Sequence, residues 1–168
     1  MDERSLPIGE ELDPILLELG SALFVCQGLE STLVFLLSVC SMEDANMEDG
    51  SFKAALDMWS QKTLGQLLKA LRERVDLSEE LAERFRAGWT SRNWVVHQFL
   101  HDTVEDFATP NGRASLLRQL ADAKRTVKAT DALANQLLDA YVQRYDISLA
   151  DAQTKADMLW DYLNPRPS

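Results

Sequence analysis

Between Asp13 and Cys40 the chain is apolar on nearly every side when wound as a helix. Ile15, Leu19, Cys26, Leu29, Leu33 and Leu36 recur at three-, four- and seven-residue intervals and make one face, while Phe24, Val25, Val34, Phe35 and Leu37 carry apolar surface round the other. Such a helix is tenable at the centre of a core, or shared between a core and an interface with another chain. Asp13-Pro14 reads as an N-cap followed by proline at the first helical position. Gln27 and Glu30 are the exceptions, three apart on one face. Glu30 interrupts the apolar run, so a membrane span is not expected.

Elsewhere no two-residue alternation is sustained, and the seven glycines and five prolines sit mostly at the ends of periodic segments, so the chain reads as all-α. A short helix is expected at about Phe52–Trp59. Thr63-Leu64-Gly65-Gln66 has the form of a capping box opening a helix to Arg74. Ser78-Glu79-Glu80 caps a long helix, its acids in the first turn where the dipole favours them, with a stripe from Leu81 through Phe85 and Val95 to Phe99. Thr109-Pro110-Asn111-Gly112 turns the chain into a helix that carries Leu116, Leu120, Val127 and Leu133 on to Tyr145. Ile147-Ser148 and Asp151 open a last helix that stops at Asn164-Pro165. Long helices with short links make an up-and-down helical bundle, one domain over residues 1–168 with its core at about 13–145. The C-terminal helical extension, about 147–164, either packs outside that core or swaps to a partner.

The net charge of −10 is unevenly placed: residues 1–50 hold eleven acids and one base, and residues 51–168 hold sixteen of each. Acidity opposes nonspecific nucleic-acid binding, which draws on Lys and Arg, but the half beyond residue 50 is neutral. Met1-Asp2-Glu3-Arg4 lacks the pattern of a secretory signal, so a cytoplasmic location and no membrane partner are expected. Cys26 and Cys40 share one helix, about 21 Å apart in rise, too far for a disulfide, and read as small buried hydrophobes.

The chemistry concentrates at Arg92-Asn93-Trp94-Val95-Val96-His97. Arg92 supplies a permanent cation shaped for phosphate, and His97 a proton that moves near neutral pH. The periodicity puts Arg92, Asn93 and His97 at core-facing positions of the long helix. Arg92 and His97 lie about 140° apart on a straight α-helix, so a site that uses both is better built at a helix–helix crossing. Asn93, one turn before His97, is placed to orient the imidazole. The bland alternative is structural: Arg92 pairs with Glu30 or another carboxylate inside the bundle, and His97 bonds a backbone carbonyl.

An arginine, a polar residue, three variable residues and a histidine on a helix of an all-α bundle resemble the HEPN family (higher eukaryotes and prokaryotes nucleotide-binding domain). The likeness in topology covers about residues 13–145. It implies a metal-independent endoribonuclease, often a toxin or phage-defence effector with an antitoxin protein as partner, that pairs as a homodimer with both motif copies in one cleft. Proton arithmetic points the same way. Cleavage through the RNA 2′-hydroxyl needs a base, an acid and a cation for the phosphorane. One histidine cannot be base and acid in one step, and two copies across a two-fold axis divide the roles. Arg92 would then stabilise phosphoryl charge, His97 move protons and Asn93 orient, with RNA as substrate and no cofactor. The alternative is a non-catalytic dimeric helical module that binds a protein or a nucleotide. Control by adenylylation of a tyrosine two residues past the histidine, implied for some family members, is in doubt because that position is Phe99.

His97 and His101 have the four-residue spacing of paired zinc ligands, but no third ligand is identifiable and Gln98 stands where a metalloprotease glutamate would be, so no metal is expected. Trp59, Trp89, Trp94 and Trp160 are candidates for base stacking, Trp94 first among them, against the commoner role of aromatics in a core. No glycine-rich phosphate loop or serine nucleophile elbow is present.

Overall fold

A computed structural model describes Gly9, residues 11–41 and residues 49–144. They form an all-α helical bundle: α1 Asp13–Ser41, α2 Asp49–Ser60, α3 Leu64–Arg74, α4 Glu79–Asn93, a π-turn Trp94–Gln98, α5 Phe99–Thr103, a 3₁₀ turn Val104–Ala108 and α6 Pro110–Arg144. The helix expected at about 147–164 lies outside the described residues.

The long helices α1 and α6 pack along each other, with α4 against α6 and with α2 and α3 against α1. From Leu33 to Cys40 every residue of α1 is buried, so this half of the helix fills the middle of the bundle. Leu29, Leu33, Leu36 and Leu37 are fully enclosed, each contributing about 2 kcal/mol by removal from water. The first half is one-sided: Ile15, Ala22 and Cys26 face inward, while Leu17 (77%) and Phe24 (76%) stand in solvent. By length and composition α1 is also apolar enough to cross a membrane, but 56% of that window is buried inside the bundle, as the position of a core helix requires.

The capping chemistry sets the ends. Thr63 and Gln66 make the reciprocal capping box of α3, the Thr63 N–H reaching Gln66 Oε1 at 2.9 Å. Ser78 Oγ accepts the Leu81 N–H at 3.3 Å to start α4, and Thr109 Oγ1 accepts the Gly112 N–H at 3.0 Å to start α6. At α1 the expectation is off by one. The N–H groups of Ile15 and Leu16 bond the carbonyl of Leu12 at 2.9 and 3.0 Å, so Leu12 caps the helix and Asp13 is its first residue.

Gly88 brings α4 close to α6. A Cβ there would lie 2.3 Å from Thr130 Oγ1, whose hydroxyl is shared between the carbonyls of Thr126 at 3.0 Å and Arg84 at 3.2 Å.

Candidate active site

The long helix expected from Ser78 past Phe99 is interrupted at the motif. After Asn93 the chain widens into the π-turn, where the Phe99 N–H bonds the Trp94 carbonyl, five residues back. Packing supplies the reason. Trp94 and Phe99 are both needed in the small core built by Ile15, Leu116 and Leu120, and on an α-helix residues five apart point about 140° away from each other. One extra residue in the turn stacks them, and their rings meet edge to face at 5.4 Å. Phe107 adds a further edge contact with Phe99 at 6.1 Å.

The same inserted residue aligns the polar pair. Arg92 Nη1 lies 3.0 Å from His97 Nε2, so the two side chains expected to diverge meet within one chain. The 140° expectation fails because it assumed a straight α-helix through residues 92–97. His97 is also exposed, not core-facing, while Arg92 and Asn93 are half-buried. Arginine can only donate, so His97 Nε2 accepts this bond with its lone pair and the ring proton sits on Nδ1.

Glu30 of α1 holds the other edge of the guanidinium. Its Oε1 accepts from Arg92 Nε at 2.6 Å and stands 2.5 Å from Nη2. Arg92 Nη1 also donates to Asn93 Oδ1 at 3.1 Å. Asn93 therefore orients the arginine, where sequence reasoning had it orient the imidazole. Cys26, one turn before Glu30 on α1, lies inside the bundle next to this pair. Burial pushes its thiol up to about 11 from an ordinary 9, the Arg92 charge draws it down by less, and the Glu30 charge adds a smaller upward push.

His101, the second candidate zinc ligand, is turned to solvent with Nδ1 on Asp102 Oδ1 at 3.0 Å. His97 Nε2 faces a guanidinium, whose positive charge opposes a divalent cation at that nitrogen. Among the described residues no three His, Cys, Asp or Glu side chains converge as a metal would require. Trp94 is committed to the core, and Phe99, at the position of the modifiable tyrosine, is buried. Trp59 is buried too, its indole N–H donating to Ser41 Oγ at 3.0 Å, and Trp160 lies outside the described residues. Trp89 is the aromatic that sequence reasoning undervalued: it is 39% exposed, one turn before Asn93 on α4. The available signal was its place on one stripe with the polar residues Arg86 and Asn93. No family model, curated protein or solved structure matches the chain.

Proposed function

We propose that this chain is a cytoplasmic, metal-independent endoribonuclease of HEPN-like architecture that acts as a homodimer. The observation that carries the reading is the Arg92–His97 contact of 3.0 Å at an exposed edge, set by a π-turn and braced by a carboxylate. A phosphodiester that reaches this edge meets a permanent cation and an imidazole; a phosphoryl oxygen that draws the guanidinium off Nε2 would free the lone pair needed to take a proton from a 2′-hydroxyl. Leaving-group protonation in the same step needs a second acid, and His97 of a second copy is the group of the right chemistry. Val96 and Leu100, exposed beside His97, and Leu17 and Phe24 on α1 supply apolar surface for such pairing. A toxin or phage-defence role restrained by an antitoxin protein is the biological setting that the family resemblance implies.

A second reading has an observation of its own. The guanidinium of Arg92 is engaged by Glu30, Asn93 and His97 together, which satisfies it as a structural group in a dimeric interaction or nucleotide-binding module. RNA cleavage in EDTA separates the two. Cleavage by the wild-type chain that is lost in both Arg92→Ala and His97→Ala, with a dimer by light scattering, is expected. Absence of cleavage from a folded, dimeric wild type leaves the interaction module standing.

A further inference from the structure

We propose that the groove between α3 and α4 is a subsite for single-stranded RNA, in which a nucleobase stacks on Trp89 and neighbouring phosphates meet Arg86 and Arg72. The subsite rests on the ribonuclease reading for the bond that is cut, but its binding is measurable without cleavage.

The groove has a volume of about 410 Å³, within the range of small-molecule sites. Leu68, Leu71, Leu77 and Phe85 give it an apolar lining, to which Trp89 adds its indole. Gly65 puts no side chain against the indole; a Cβ there would come into van der Waals contact with Nε1, at 3.6 Å. Ala82, Arg86, Trp89 and Asn93 follow at four- and three-residue intervals, one stripe of α4. Asn93, outside the groove's lining, follows about 6 Å of rise beyond Trp89 on that stripe, next in the chain to Arg92.

Its charge opposes that of the whole molecule. The chain carries −10, whereas the groove is lined by Lys69, Arg72 and Arg86 against Glu73. Lys69 pairs with Glu73 at 3.9 Å and Arg86 with Glu83, but both pairs are well exposed, and such pairs are weak enough to be exchanged for phosphate. An apolar slot with an open indole and cations on its rim fits the alternation of base and phosphate along a single strand.

A short fluorescein-labelled 2′-O-methyl oligonucleotide, which lacks the attacking hydroxyl, tests this on the full chain by anisotropy and tryptophan quenching. Trp89→Ala is expected to weaken binding by roughly tenfold or more, the loss of one stack, while Trp89→Phe retains most of it. The Arg72→Ala/Arg86→Ala double variant, at exposed positions, is expected to flatten the slope of log K against log salt by about 1.4. Binding within twofold of wild type in both Trp89→Ala and the double variant overturns the subsite, as does quenching by an acidic peptide in place of the oligonucleotide. Groove-dependent binding without cleavage of ordinary RNA refutes the ribonuclease reading and leaves the subsite. Cleavage with groove-independent binding does the reverse.

Discussion

Glu30 is the residue on which the geometry of the site turns, and replacing it with glutamine is the sharpest test of that geometry. Glu30→Gln keeps the shape and an acceptor oxygen but removes the charge that holds the Nε and Nη2 edge of Arg92. The side chains are 17% exposed for Arg92 and 34% for Glu30, so the pair lies between two regimes. Exposed ion pairs contribute about 0.2–1 kcal/mol, and breaking a fully buried one costs about 3–5 kcal/mol. Solvent reaches the carboxylate more than the guanidinium, which places the coupling at about 1–2 kcal/mol. Urea unfolding of the wild type, Glu30→Gln, Arg92→Gln and the double variant reads this as the non-additive part of a cycle. In a heat melt the Glu30→Gln variant alone is expected to fall by about 2–8 °C. Raising salt should leave most of the coupling in place, since a half-buried pair is poorly screened. A coupling below about 0.5 kcal/mol, or one abolished by salt, would refute the reasoning: Arg92 would then be positioned by its own helix, without help from α1.

Gly88→Ala places a Cβ against Thr130 and is expected to cost about 1–3 kcal/mol in urea unfolding despite alanine's better helix propensity; adding Thr130→Ala, which vacates the space, should recover much of it. Cys26 keeps its proton to higher pH when folded than when unfolded, so stability is expected to be intact below pH 9 and to fall by about 2–3 kcal/mol as pH rises to about 11. Cys26→Ala should show a shallower fall over that interval, which pH-dependent denaturation of the two proteins measures.

The helices were legible because their signals are local. The Thr63–Gln66 box, Ser78 before two acids and Thr109-Pro110 each act within one turn, and each stands where the structure starts a helix. Glu30 was legible as a polar break in an apolar face, although its partner, 62 residues away, was not fixed by pattern. The π-turn was invisible to helical periodicity, because that reading presumes the very turn which the insertion changes. Its trace was nevertheless present in Trp94 and Phe99, two large aromatics five apart that a straight helix cannot send into one core.

The π-turn also changes what a second copy is for. Were Arg92 and His97 to diverge as on a straight helix, a crossing with another helix, from this chain or a second copy, would be needed to bring a cation and an imidazole together. With the two side chains 3.0 Å apart in one chain, that need disappears. What remains is the count of protons. On the ribonuclease reading the imidazole would act as a base once a phosphate draws the guanidinium off Nε2, and one imidazole does not also protonate the leaving oxygen in the same step. On that reading the second copy would supply the acid, while the arginine–histidine geometry belongs to the single chain. The Arg92–Glu30–Asn93–His97 network is made within the bundle by α1, α4 and the π-turn, whereas Val96 and Leu100, left exposed beside His97, are the groups that a second chain would cover.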